Sequence, residues 1–360
     1  MRQSDHRDAA ARLSTLYQGL DLPGSVQFDI TRRCNLSCIH CYQLRSRAEL
    51  DGPSIRRILD DLAQSKVLML SFSGGEPLLH PAFFEILDHA RNLHFAIKVT
   101  SNGTLIDEKA AARLGEAGVG EVSISLYSLD PGIHERVTLV EGSHAKSMAA
   151  CRFLKSAGVP VRLLCTVTSV NLPDAREVFQ WGRSEGFEVT VDPLILTGEP
   201  GRTVQPWLRP KADEALALLT ELDLVPDPVL LPSPDDPALC GAGIQSALIT
   251  PEGDVKLCPV AIGILGRLGE RSFEEIWRTS RLRKKFISRR LRPKDRCYGC
   301  SLRGSCRTCP PQEEMEKSGD IEAYFEFVRQ VAEGMYWVWQ RRHPGIAIPK
   351  AEKPLSCPYG

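Results

Sequence analysis

Three cysteines between Thr31 and Tyr42, at Cys34, Cys38 and Cys41, follow the spacing C-x3-C-x2-C. Three thiolates so spaced on one short loop can ligate three irons of a [4Fe–4S] cubane and leave the fourth iron open, as a catalytic cluster requires. Zinc, with His40 as fourth ligand, is the alternative. Structural zinc, however, takes paired ligands from two separated knuckles, and residues 26–196 offer no second one. Four more cysteines lie together at Cys297, Cys300, Cys306 and Cys309, with Cys240, Cys258 and Cys357 scattered around them. They read as metal ligands too, but Cys-x2-Cys pairs are common zinc knuckles, so zinc stays open as an alternative here. Cys151 and Cys165 sit inside apolar segments and read as buried core thiols.

Polar residues cluster at three further points. In Ser73-Gly-Gly-Glu-Pro77, Gly74 and Gly75 let the backbone approach a ligand closely, and Glu76 adds an acceptor for an ammonium group. Alone, the Gly-Gly pair would be an ordinary strand-to-helix turn. In Thr100-Ser-Asn-Gly-Thr104, Asn102 is either a ligand contact or a turn former at left-handed φ/ψ. Ser123, Ser125 and Tyr127 alternate and so share one face of a strand. Arg136, a short way beyond, reads as a solvated surface arginine or as a partner for a carboxylate.

The elements that must hold these residues follow from periodicity. Val26–Ile30, Val67–Phe72, Phe95–Thr100, Glu121–Leu126, Val161–Val167 and Glu188–Leu196 read as strands. Ile55–Gln64, Pro81–Asn92, Glu108–Ala117, Ala145–Ala157 and Ala175–Glu185 show helical spacing of apolar residues. This alternation predicts an α/β fold, a partial (β/α)6 barrel, followed by a small cysteine-rich C-terminal domain. Chemistry in such folds sits at the C-terminal ends of the strands, where the motifs above fall. The expected domains are an N-terminal extension (1–25), the barrel (26–196), a Pro-rich linker with one helix, Ala212–Leu222 (197–239), and the cysteine-rich domain (240–360). Ile249–Cys258 reads as a hairpin turning at Glu252-Gly253. The basic stretch Arg281–Arg296 reads as a solvated helix face. The aromatic stretch from Tyr324 to Trp339 reads as packing against the barrel, with a lid or partner surface as the second reading.

Composition narrows the function. The chain of 360 residues carries 45 Lys plus Arg against 45 Asp plus Glu. No global field draws it to nucleic acid or to an anionic membrane. No apolar run is long enough to span a bilayer, and the polar N-terminus carries no signal core. A cytoplasmic, reduced location is expected, which favours metal binding over disulfides for the clustered cysteines.

The cysteine loop after the first strand, with Tyr42 as the aromatic beside the last cysteine, resembles the radical S-adenosylmethionine (SAM) superfamily. That resemblance implies a [4Fe–4S] cluster on the catalytic Cys34, Cys38 and Cys41, with SAM bound at its open iron. Reductive cleavage of SAM would then yield a 5′-deoxyadenosyl radical. It implies further that Gly74, Gly75 and Glu76 form the family's GGE motif for the methionine amino group. Asn102 would belong to a T-N-G turn, Ser125 would contact the ribose hydroxyls and Arg136 the SAM carboxylate. The C-terminal spacing resembles the SPASM module. By position, Cys240, Cys258 and Cys309 would hold one auxiliary [4Fe–4S] cluster, and Cys297, Cys300, Cys306 and Cys357 another. Two features depart from that pattern: the last gap in the four-cysteine run is two residues instead of three, and Cys357 lies far beyond Cys309. Another side chain could therefore close the second cluster.

The resemblance implies a maturase that modifies a ribosomally made peptide or protein. Cofactor biosynthesis on a small molecule such as a tetrapyrrole is the alternative, and a non-catalytic iron–sulfur or zinc protein the third reading. A sulfatase maturase fits less well, because Pro259 stands where those enzymes carry an aspartate beside the cysteine. A reductant such as flavodoxin or ferredoxin is implied. Residues 1–25 are too few for an independent leader-binding fold, so a leader peptide would need a separate binding protein or the barrel itself.

Overall fold

The computed structural model describes residues 13, 15–17, 19–195, 205–225, 241–261, 263–290 and 321–343. Strands β1 (Ser25–Thr31), β2 (Met69–Gly74), β3 (Ala96–Ser101), β4 (Val119–Ser125), β5 (Val161–Thr166) and β6 (Glu188–Asp192) pair in sequence order, each parallel to the next. The sheet is open, with β6 at one edge, so the expected partial (β/α)6 barrel forms. Helices α1 (Gly52–Gln64), α2 (Phe83–Asn92), α3 (Glu108–Glu116), α4 (Pro131–Thr138), α5 (Ser143–Ser156) and α6 (Ala175–Ser184) connect the strands. Their starts are chemically marked. Asp51 caps α1 by accepting the Ser54 N–H at 2.8 Å, and Asp107 caps α3 through Ala110 at 2.7 Å. An uncapped N-terminal turn would leave such donors unpaired.

Alternation sorts the strands into two faces. Val26, Phe28 and Ile30 of β1 and Leu70 and Phe72 of β2 are buried with Ile55, Leu59 and Leu62 of α1 in the main core. The opposite face is polar, carrying Gln27, Asp29, Ser71, Ser73 and Ser125. Farther down that face Glu121 is held by Lys98 at 3.2 Å and by Arg162 at 2.9 and 3.1 Å.

Helix α4 is absent from the sequence reading. It is a single short helix entered through Asp130-Pro131. Asp130 accepts the Ile133 N–H at 3.0 Å, and Leu139 at φ 57° ends it. Its two terminal carbonyls prove to carry the cysteine loop.

The hairpin expected over Ile249–Cys258 forms from β7 (Ser246–Ile249) and β8 (Asp254–Lys256), and an unexpected β9 (Ile264–Arg267) extends it. The hairpin joins the barrel sheet, because β7 pairs parallel with β1, Phe28 opposite Ile249. Two expectations need correction. Arg283, on the helix Arg281–Arg290, is buried at 3% exposure and does not belong to a solvated face. Its guanidinium lies 4.0 Å over the Trp277 ring, donates to Gly243 O at 2.7 Å and to Trp277 O at 3.1 Å, and pairs with Asp21. Residues 291–296 of that basic stretch lie outside the described residues. The aromatic C-terminal helix (Ile321–Arg342) packs chiefly against the linker helix Ala212–Glu221, not against the barrel core. Phe327, Val328, Val331 and Met335 make a separate cluster there with Ala215 and Leu219. No helix among the described residues is long and apolar enough to cross a membrane.

Candidate active site

The cysteine loop leaves β1 at the C-terminal rim of the sheet and is fastened on three sides. Arg32 forms a bidentate pair with Glu252 of the hairpin turn, at 2.7 and 3.3 Å. Arg33 forks onto Glu49 at 2.8 and 3.0 Å and donates to Leu79 O at 2.6 Å. Ser37 N–H and Ile39 N–H donate to Thr138 O and Val137 O, at 2.9 and 3.0 Å. Those carbonyls end α4, where no intrahelical donor remains for them. Fork geometry makes the arginine pairs directional as well as attractive.

The second motif serves the loop directly. Gly75 N–H donates to Thr31 O and Glu76 N–H to Arg33 O, both at 2.8 Å. A Cβ on Gly74 would lie 2.3 Å from Thr31 O, and one on Gly75 2.2 Å from Arg33 O; Gly74 also has φ 128°. Both glycines are therefore required by backbone crossing backbone. Glu76 is wholly buried, and its carboxylate oxygens already accept from Leu78 N–H (3.2 Å), Asn102 N–H (2.8 Å) and the Ser101 hydroxyl (2.9 and 3.1 Å). Burial pushes its carboxyl up to about 7 against the pull of those donors. The side chain thus ties the end of β2 to the end of β3.

Asn102 continues the tie. Its Nδ2 donates to Asn35 Oδ1 at 2.9 Å and approaches Cys34 Sγ at 3.9 Å, while Oδ1 accepts from Thr104 N–H at 2.9 Å. It does not adopt the left-handed conformation weighed for it; the following Gly103 does, at φ 79°.

The three thiols sit on one loop and lie close enough for the charge of one to act on another. Burial and the charges of Cys41 and Cys34 push the Cys38 thiol up to about 12. Burial also raises Cys34, against the Leu36 N–H that it accepts at 3.4 Å. Buried thiolates this close are unfavourable alone and are compensated by a bound metal, which deprotonates a coordinating thiol outright. No three His, Cys, Asp or Glu side chains among the described residues converge on a single-ion site. A cubane takes each thiolate on a different iron, so three thiols on one short loop can serve it. The His40 ring lies edge-on to Tyr127, 5.0 Å between centroids. The donor set therefore fits an iron–sulfur cluster.

Tyr42 is half-buried directly after Cys41, and Ser125 is half-buried at the end of β4. Arg136 is exposed on the last turn of α4 and is not gathered with the others. Cys151 and Cys165 are buried in the core, their thiols pushed up to about 12 by burial. Cys258 is half-buried after β8. Cys240, Cys297, Cys300, Cys306, Cys309 and Cys357 lie outside the described residues. Sequence reasoning missed Glu49 and Glu252, whose arginine partners are remote along the chain.

An open parallel barrel with three cysteines on the loop after its first strand defines a class, and comparison with known proteins gives its family. Residues 28–181 match the radical SAM superfamily, and residues 240–310 match the SPASM iron–sulfur cluster-binding domain. The chain is 30% identical over 310 residues to the mycofactocin maturase MftC of Mycobacterium ulcerans, which covers 80% of this chain and 83% of that one. It is 26% identical over 343 residues to the AdoMet-dependent heme synthase of Oleidesulfovibrio alaskensis, covering 84% and 87%. The Streptococcus suis SuiB structure bound to S-adenosylmethionine has the same fold, with TM-score 0.67, 18% identity and coverage of 87% and 80%. The chain belongs to the radical SAM superfamily and is a radical SAM enzyme with a C-terminal SPASM domain.

Proposed function

We propose that the enzyme is a peptide maturase, cleaving SAM at a cluster held by Cys34, Cys38 and Cys41 and modifying a side chain of a ribosomally made peptide. The carrying observation is the loop itself: three thiols on one short loop, clamped at the strand ends by Arg32–Glu252, Arg33–Glu49 and the carbonyls of α4. When bound, the cluster supplies the electron that opens SAM to methionine and the 5′-deoxyadenosyl radical. The chain's part is to fix the thiols, to exclude water and to orient SAM and substrate. Gly74 and Gly75 hold the loop against β2. Tyr42, Asn102 and Ser125 line its surroundings as the contacts for SAM, and Glu76 supports them through Ser101 and Asn102.

The peptide reading gains support from the inner face of the sheet. Ser71 and Ser73, both half-buried, offer hydroxyl groups, which suit a peptide backbone better than the flat apolar surface of a tetrapyrrole. The relative named as a maturase supports the same reading. The heme-synthase similarity over 84% of the chain supports cofactor biosynthesis as the second reading. Two auxiliary [4Fe–4S] clusters are proposed in the C-terminal domain, on Cys240, Cys258 and Cys309 and on Cys297, Cys300, Cys306 and Cys357. The expected partners are a precursor peptide and a flavodoxin or ferredoxin as reductant in the cytoplasm, with a leader peptide held by a separate binding protein or by the barrel itself.

The test has two parts. Cys34→Ala should abolish 5′-deoxyadenosine formation in reduced, iron-reconstituted protein. Precursor peptides encoded beside the gene should change mass with the wild type and not with Cys34→Ala. Undiminished deoxyadenosine from the variant overturns the site. Turnover of a tetrapyrrole with no turnover of any such peptide moves the assignment to the second reading.

A further inference from the structure

The inner wall of the barrel carries charged side chains that neither the cysteine loop nor the SAM contacts use. Val99, Val122 and Leu163 on three neighbouring strands are wholly buried in the core. Lys98, Glu121 and Arg162 each stand one residue away and so occupy the opposite, inner face, together with Ser125. Glu121 joins the two cations. Its Oε1 accepts from Lys98 Nζ at 3.2 Å and from Arg162 Nε at 3.1 Å, and its Oε2 accepts from Arg162 Nη2 at 2.9 Å. Burial would raise the Glu121 carboxyl, yet the two cations bring it below its usual value, so it stays ionised.

One carboxylate cannot satisfy both partners. An ammonium has three protons to donate and a guanidinium five. Among the described residues Glu121 is the one hydrogen-bond acceptor of both, which leaves the Nη1 edge of Arg162 and most of the Lys98 ammonium unused. The charges are also unequal. Glu188, beside Arg162 in the sheet register, is matched by Arg183 at 3.9 Å, so one positive charge remains over. Asp29 lies two strands from Lys98, about 10 Å away across the sheet. It accepts from the Gln27 and Gln43 amides at 2.8 and 3.1 Å. The fold itself does not call for this arrangement. The side chains of Lys98 and Arg162 are 42% and 32% exposed, and half-exposed ion pairs add little stability to strands already joined by their backbones.

We propose that Lys98 and Arg162 form a carboxylate-binding site on the inner wall of the barrel, which fixes how far the substrate peptide enters. Both cations suit a carboxylate, Arg162 through the free edge of its fork and Lys98 as a point charge. Ser71 stands opposite Lys98 in register and Ser123 opposite Arg162, so hydroxyl-bearing residues flank both. Glu121 precedes Ser125 by four residues on β4, about 13 Å of strand. An extended peptide covers that distance in about four residues. The bound carboxylate therefore belongs to a residue within about four of the modified one. The inference rests on the peptide reading of the function given above.

The experiment uses the full-length, anaerobically reconstituted enzyme and the precursor peptide that it modifies. Each carboxylate of that peptide is neutralised in turn, Asp as Asn, Glu as Gln and the C-terminus as the amide, which tells a side-chain carboxylate from the terminal one. One of these peptides should lose about tenfold in kcat/KM, the size of a hydrogen bond to a charged group. Lys98→Gln should remove most of that preference, whereas Glu121→Gln, which frees both cations, should keep or enlarge it. An ion pair that only held the strands together would leave the preference between peptides unmoved in both variants. A wild type that turns over every neutralised peptide as well as the native one overturns the inference. So does an undiminished preference in an iron-loaded Lys98→Gln protein. If that protein does not keep its iron, Lys98→Met, which retains the length of the side chain, takes its place under the same criterion. A wild type that modifies no such peptide overturns the peptide reading itself, and the inference falls with it.

Discussion

A methyl group on Gly75 would stand 2.2 Å from the Arg33 carbonyl oxygen and 2.7 Å from its carbonyl carbon. Real Cβ atoms essentially never come within 3.0 Å of another heavy atom, so one of the two backbones must retreat by at least ~0.8 Å. The retreat acts on the hydrogen bonds from Gly75 N–H to Thr31 O and from Glu76 N–H to Arg33 O. At about 1 kcal/mol net for each bond, and more if a group is left buried and unpaired, Gly75→Ala should weaken the loop by about 2–4 kcal/mol. The displacement falls on Arg33, next to Cys34. A misplacement of about 1 Å can cost about 100-fold in rate. Gly75→Ala should therefore retain far-UV circular dichroism, lose iron from this cluster before any SAM is added, and form 5′-deoxyadenosine about 100-fold more slowly. Gly120→Ala is the control, because the nearest atom to its Cβ is at 3.5 Å. A Gly75→Ala protein that holds a full cluster and loses only SAM affinity would refute the reasoning. The glycine would then serve the ligand and not the crossing of the loop.

Glu76→Gln should flatten part of the pH dependence of stability. A carboxyl raised from 4.5 to about 7 in the folded state favours folding below its unfolded value, and that contribution fades as pH rises through about 7. Between those limits the wild type should lose about 3 kcal/mol that the glutamine variant does not, read from unfolding midpoints at pH 4.5 to 7.5. Parallel profiles for the two proteins would contradict this. Arg283→Lys should not restore what Arg283→Ala loses, about 2–4 kcal/mol, because an ammonium cannot stack on Trp277 while donating to both Gly243 O and Trp277 O. Equal melting temperatures for the lysine variant and the wild type would refute that. Cys258→Ala, once shown to be folded, should still cleave SAM and lose the modified peptide, because Cys258 lies outside the cysteine loop. Unchanged product yield from protein lacking that auxiliary cluster would remove its role in turnover.

What the sequence determined by itself is local in origin. The three cysteines stand within eight consecutive residues, so their spacing alone limits them to one loop and marks them as metal ligands. Strands such as Val26–Ile30 and helices such as Ile55–Gln64 are legible because burial of one face writes a period of two or 3.6 into consecutive residues. Helix α4 escaped because it is too short to show a period, although Asp130-Pro131 is a capping signal that marks its start. Only the tertiary structure decided which partners meet across the chain. Arg32 finds Glu252, and β1 finds β7, across more than two hundred residues, with no periodicity between them to announce it. The same holds for function. The GGE motif reads as a ligand site in one dimension. In three, Glu76 also ties the end of β2 to the end of β3 through Leu78, Ser101 and Asn102, and the glycines make room for the loop. Hydrogen bonds and excluded volume depend on positions to within an ångström, and those positions exist only once the strands are paired and the core is packed.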